Sequence, residues 1–120
     1  MKKILVVDDD QDLLLMLKSF LTLNGYDPRV SMSCDEGLEI FYEFKPHLVL
    51  LDVNVGNADG REMCRKIKTG AEQQHIPVIL ISANNEALAA HGQYGANAAM
   101  EKPFNFAQLR NSIETFLASG

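Results

Sequence analysis

Three runs of four aliphatic residues, each cut off by a polar group, constrain the fold of this chain more than any other feature. Ile4-Leu5-Val6-Val7 stops at Asp8-Asp9, Leu48-Val49-Leu50-Leu51 at Asp52, and Val78-Ile79-Leu80-Ile81 at Ser82. Runs this short and this uniformly apolar suit strands buried on both faces, the habit of central parallel strands covered by helices. Parallel strands share one carboxyl edge, so three aspartates and a hydroxyl are expected to meet there. Carboxylates crowded on one edge repel one another and do not stabilise a fold. They mark a site.

The segments between the runs read as helices. Leu13, Leu14, Leu17, Phe20 and Leu21 recur at helical spacing, and Asn24-Gly25 supplies a stop. Ser33-Cys34-Asp35-Glu36 has the form of a capping box ahead of Leu38, Ile40, Phe41 and Phe44, and Pro46 ends that stretch. A third helix opens at Asp59-Gly60 and closes near Gly70, and a fourth, Ala-rich one spans roughly 85–93. A fifth starts at Asn105 and carries Phe106, Leu109, Ile113, Phe116 and Leu117. Two weak strands complete the alternation: Tyr26 to Ser31, containing Asp27 and Pro28, and Ala98-Ala99-Met100. A proline removes a ladder donor and belongs at a sheet edge, so the weak strands go outside and the strong runs inside. The expected fold is α/β, a doubly wound, flavodoxin-like (βα)5 domain. Its parallel sheet has the order 2-1-3-4-5, with helices on both faces.

Residues 1–120 fit one domain, and 47% hydrophobic against 22% charged residues suits a packed core. A net charge of −5 argues against a nucleic-acid surface. No apolar run approaches the roughly 20 residues of a membrane span, and Met1-Lys2-Lys3 is followed too soon by acids for a signal peptide. Cys34 and Cys64 lie far apart and outside any C-x-x-C motif, which suggests reduced, structural thiols. A soluble, cytoplasmic domain is expected.

In this strand order the ligand crevice lies beyond strands one and three. Asp8, Asp9 and Asp52 then face one another across strands about 4.8 Å apart. Their repulsion calls for a cation, and an all-oxygen donor set points to a hard divalent ion, magnesium before others. Ser82 and Lys102 arrive at the same edge from strands four and five. A carboxylate, a metal, a hydroxyl and an ammonium converging on one point can hold and transfer a phosphoryl group, with Asp52 as nucleophile.

VVDDD at 6–10, LLDVNVGNADG at 50–60, ISA at 81–83 and GANAAMEKPF at 95–104 together resemble the receiver domains of two-component response regulators. The resemblance spans the whole chain, and its four motifs stand in order. It implies that Asp52 accepts phosphate from a sensor histidine kinase or a histidine phosphotransfer protein. Asp8, Asp9, Asp52 and the backbone carbonyl of Asn54 are the implied ligands of magnesium, with manganese as an alternative. Ser82 with the small Ala83 matches the hydroxyl switch, and Lys102 matches the lysine that pairs with the phosphoryl group. The Lys102-Pro103 bond is a candidate for the cis form. Asn54 and Asn84 stand where the family tunes the rate of hydrolysis.

Two positions depart from the family pattern. Gly56 replaces a frequent proline, which implies a more flexible loop. Ala99 stands where a Tyr or Phe usually swings inward on phosphorylation, so one half of the usual switch is degenerate. The expectation is a single receiver domain without an output domain, not an enzyme with external turnover. It would signal through a downstream partner or a fused output domain, with no direct contact to nucleic acid or membrane.

Blander readings compete at several positions. Asp10 suits a helix N-terminus and Asp59 a helix cap; Asn84 suits a loop. His47, His75 and His91 lack partners at metal-ligand spacing and read as surface or loop residues. Tyr94 could stand in for the missing switch ring, but an ordinary surface tyrosine is the preferred reading. A haloacid dehalogenase-type phosphatase would need a D-x-D motif followed by Thr or Val, where Gln11 and Asp12 stand. A flavin or nucleotide binder would need a Gly- or Ser/Thr-rich loop after strand one, in place of three aspartates.

Overall fold

The structure is a computed structural model that describes residues 1–70, 75–84 and 91–117. In chain order it runs β1 (Lys3–Val7), α1 (Gln11–Leu23), β2 (Asp27–Ser31), α2 (Cys34–Phe44), β3 (Leu48–Asp52) and α3 (Gly60–Thr69). It continues through β4 (Val78–Ser82), a 3-10 turn (His91–Tyr94), β5 (Ala98–Glu101) and α4 (Phe106–Leu117). The five strands form one parallel sheet in the order β2-β1-β3-β4-β5, as the edge argument requires. The strong runs are central, and the strands holding Pro28 and Ala99 are outermost.

Alternation along the strands divides the core into two layers. Leu5, Val7, Val49, Leu51, Val78 and Leu80 face Phe41 of α2 and Met63, Cys64 and Ile67 of α3. Ile4, Val6, Leu48, Leu50, Ile79, Ile81 and Met100 face Leu14, Leu17 and Leu21 of α1 and Leu109 and Ile113 of α4. Every residue of β3 and β4 is therefore buried. Up to Asp52 and Ser82 at their carboxyl ends, these strands are accordingly uninterrupted aliphatic runs.

The helix ends follow their capping residues. Asp10 accepts from Leu13 N–H, Ser33 from Glu36 N–H and Asp59 from Arg61 N–H. Asn105 and Gln108 bond reciprocally, each side chain to the other's backbone N–H, and so close a capping box at α4. The helix expected over 85–93 lies mostly outside the described residues, and its last part is the 3-10 turn. One feature not anticipated is a two-residue antiparallel ladder, Asn54–Val55 with Ala58–Asp59, inside the β3–α3 loop.

Both cysteines are free and buried. Burial pushes the Cys64 thiol up to about 11, and its S–H donates to the carbonyl of Tyr94 at 3.4 Å. Cys64 is therefore expected to resist Ellman's reagent at pH 8 in the folded protein and to react on denaturation. Rapid labelling of native Cys64 would show that the α3 packing opens far more readily than its complete burial implies.

Candidate functional site

The carboxyl edge of the sheet delivers four charged side chains to one place. Asp8 leaves β1 with its backbone N–H bonded to the carbonyl of Ser31, which carries the β1–β2 pairing one residue past the strand end. Both carboxylate oxygens are engaged: Oδ1 accepts from Asp10 N–H at 2.9 Å and Oδ2 from Lys102 Nζ at 2.9 Å. Asp52 ends β3, where Oδ1 accepts from Asn54 N–H at 3.3 Å and Oδ2 from the same Lys102 Nζ at 3.2 Å. Lys102 follows β5, and its backbone N–H is bonded to the carbonyl of Ser82, which ties the end of β5 to β4. The Lys102–Pro103 peptide bond is cis.

One ammonium thus bridges two buried carboxylates. Burial and the neighbouring Asp8 charge push the Asp52 carboxyl above its usual range, against the attraction and hydrogen bond of Lys102 and the Asn54 N–H. Burial pulls the Lys102 ammonium down, but the hydrogen bond and charge of Asp8, followed by the charge of Asp52, outweigh it and raise it. The two directions describe a single imbalance. Lys102 has more negative charge beside it than it needs, and Asp52 has less positive charge than it needs.

Asp9 adds to that imbalance. Oxygens of Asp8, Asp9 and Asp52 all lie within 4.8 Å of one another. Three carboxylates against one ammonium leave two negative charges unbalanced. All the donors are oxygens, and Asp9 is exposed, so the cluster opens to solvent. The residues therefore fit a hard divalent cation.

The loop after β3 reaches back to this cluster. The N–H of Gly56 donates to Asp9 Oδ2 at 2.9 Å, from a residue at φ 61°. A proline here would have neither that donor nor that φ. The glycine read as a source of looseness is in fact a tether between the loop and the acidic pair.

The remaining expected residues are placed as follows. Ser82 is buried at the end of β4, and its Oγ accepts from Asn84 N–H at 3.0 Å. Ala83 lines a groove with Lys102, Pro103 and Asp10. Asn54 is exposed, beside Asp52 in the two-residue ladder. Ala99 pairs in register with Leu80 and is exposed. Asp10 and Asp59 are helix caps, and His47 and His75 are exposed.

Tyr94 differs from its reading as a plain surface tyrosine. It is partly buried against the α2–α3 layer, with the Arg61 and Arg65 guanidinium carbons 5.2 and 4.7 Å from its ring centre. Arg61 is also held by Asp59 through a 2.8 Å ion pair. Arg61 and Arg65 are four apart on α3 and so share a face. That spacing was the available signal, but nothing local says that residue 94 would come to rest on that face.

Beside Lys102 runs an exposed apolar groove lined by Leu13 and Met16 of α1 and by Pro103, Phe104 and Phe106. Met16 and Phe106 are 54% and 41% exposed, too much for core residues. Among the described residues no helix is long and apolar enough to cross a membrane.

Comparison with known proteins agrees with this geometry. The family model described as "Response regulator receiver domain" matches residues 4–114. The receiver domain of NtrX from Brucella abortus superimposes with a TM-score of 0.88 at 30% identity, covering 98% of this chain and 99% of that one. A CheY-like response regulator receiver domain protein from Methanospirillum hungatei JF-1 gives 0.91 at 26% identity, covering 99% and 95%. In the longer NtrX structure the matched part is 27% of that chain, so a domain like this one also occurs within larger proteins. With the family model spanning nearly its whole length and its acidic edge built as described, this chain belongs to the response regulator receiver domain family.

Proposed function

We propose that this domain accepts a phosphoryl group on Asp52 from a phosphohistidine of a sensor kinase or phosphotransfer protein, and that the modification alters its binding to another protein or to an output domain. The observation that carries this reading is Lys102 Nζ bridging Asp8 and Asp52, with Asp9 within reach of both, at the crevice where the strand order reverses. Asp8, Asp9, Asp52 and the Asn54 carbonyl are the residues that would hold magnesium, or manganese in its place. The chemistry the ion supplies when bound is neutralisation of the phosphoryl oxygens.

The side chains account for the rest of the reaction. An Asp52 carboxylate oxygen attacks phosphorus in line with the donor's P–N bond. The new O–P bond forms as the P–N bond breaks, and the imidazole leaves with the electron pair. Lys102 favours the ionised form of Asp52 against the effect of burial, and its ammonium can pair with the negative charge that gathers on the transferred group. The groove of Leu13, Met16, Phe104 and Phe106 offers a protein donor an apolar footing next to the nucleophile. Because Ala99 has no ring to reorient, output on this reading relies on the Ser82 loop rather than on the outer face of β5.

Incubation with acetyl phosphate and magnesium is expected to add one phosphoryl group, read by intact-protein mass spectrometry and lost on treatment with hydroxylamine, as for an acyl phosphate. A wild-type chain that gains no mass under these conditions would remove the reading.

A further inference from the structure

We infer that Gly60 is a positioning residue for the acidic site, a role that rests on the phosphoacceptor reading of Asp52. Gly60 is the first residue of α3 and is buried. A Cβ built on it would lie 1.9 Å from the backbone oxygen of Asp52 and 2.9 Å from its carbonyl carbon. The hydrogen now in that direction points at the oxygen, a C–H···O contact with the backbone of the nucleophile itself. Just alongside, the N–H of Gly60 donates to the carbonyl of Val53 at 2.7 Å. The start of α3 thus lies directly against the peptide that carries Asp52.

This contact fixes more than one atom. The Asp52 backbone cannot yield, because Asp52 pairs with Ile81 in the sheet centre and the next N–H, of Val53, is bonded to the Ile81 carbonyl at 2.9 Å. Any added side chain must therefore push α3 and the 53–59 loop outward. That loop carries Asn54, whose N–H bonds Asp52 Oδ1, and Gly56, whose N–H bonds Asp9 Oδ2. Its own ladder is two residues long and lies outside the five-stranded sheet, with Asn54 and Ala58 exposed and Val55 its one core anchor, so it can shift without unfolding that sheet. The absence of a side chain at residue 60 sets how closely the loop approaches the carboxylates.

Gly37 provides the control. It is a second buried helical glycine, whose Cβ would meet the Val7 Cγ2 and Met63 Cε atoms at 3.0 and 3.2 Å, side-chain ends in the core rather than site backbone. Gly60→Ala and Gly37→Ala are compared with wild type by thermal melting, by Mn2+ affinity from electron paramagnetic resonance, and by maximal phosphorylation rate with acetyl phosphate. Gly60→Ala is expected to fold, to bind Mn2+ several-fold more weakly and to lose about tenfold or more in maximal rate, the scale of an ångström-level misplacement. Gly37→Ala is expected to lower only the melting temperature. Equal Mn2+ affinity and rate in Gly60→Ala and Gly37→Ala would overturn the inference, and so would a Gly60→Ala chain that does not fold. Absence of phosphorylation in the wild type would instead remove the acceptor reading, leaving the Mn2+ comparison to decide the positioning.

Discussion

Asp52→Asn is expected to abolish phosphoryl uptake and, at the same time, to stabilise the domain at neutral pH. The first effect follows from the proposed role of Asp52 as nucleophile: an amide has no ionised oxygen with which to form the acyl phosphate. The second follows from the direction of the Asp52 shift. A carboxyl raised above its unfolded value of 3.8 binds its proton more tightly in the folded state, so ionisation lowers stability progressively as the pH rises from 3.8 to the folded value, and the loss is complete above it. Asparagine removes that repulsion with Asp8, while Lys102 keeps its 2.9 Å partner on Asp8. Without divalent metal the gain should be about 1 kcal/mol near pH 7. It should fade as the pH falls toward 3.8, where the wild-type carboxyl is itself protonated. Urea unfolding at the two pH values in the presence of a chelator measures this. An asparagine variant less stable than wild type near pH 7 would mean that the Lys102–Asp52 contact outweighs the burial and repulsion acting on that carboxyl.

Lys102→Met is expected to have the largest effect on stability, a loss of about 3 kcal/mol at neutral pH without metal, because it leaves two buried carboxylates facing each other with no counter-charge. Lys102 is one-quarter exposed and Asp8 and Asp52 are buried, so solvent screens the pair only weakly. The loss should shrink as the pH falls and the carboxylates take up protons. Added Mg2+ should recover part of it by replacing the missing positive charge. In the wild type the sign is the reverse of that at Asp52. The Lys102 ammonium is raised, so its contribution is complete below 10.5 and is lost as the pH rises through the folded value. Denaturant unfolding from pH 4 to 9, with and without Mg2+, would contradict this if wild type and variant followed the same curve.

These expectations draw on features of unequal legibility. The central strands could be read directly, since a strand covered on both faces admits only aliphatic residues and β3 and β4 are such strands. One edge was readable from Asp27 and Pro28, which a central strand would not accept, and the other from the short, weak run Ala98-Ala99-Met100. Ser33, Asp59 and the Asn105–Gln108 pair announce their helices because capping is a local bond between near neighbours. What escaped was non-local. The 53–59 loop folds back on Asp9 through a glycine N–H, and the sequence shows only a glycine. Tyr94 comes to rest on two arginines about thirty positions earlier in the chain. The charges at the site were all named in advance, but not their division, in which Asp8 is sealed, Asp9 is open and Lys102 is shared. That division depends on register between strands far apart in sequence.

Lys102 reaches Asp8 across 94 residues and Asp52 across 50, from a strand paired on one side only. Local opening of β5 would take the cation from both carboxylates in one step. Acidity at Asp52 and fraying at β5 are therefore linked equilibria, and linkage runs both ways. Whatever grips or loosens that outer strand retunes the Asp52 carboxyl, and whatever settles on that carboxyl changes the tension on the strand. An edge that carries only an alanine, with no ring to report, can still exchange free energy with the acidic centre through its lysine.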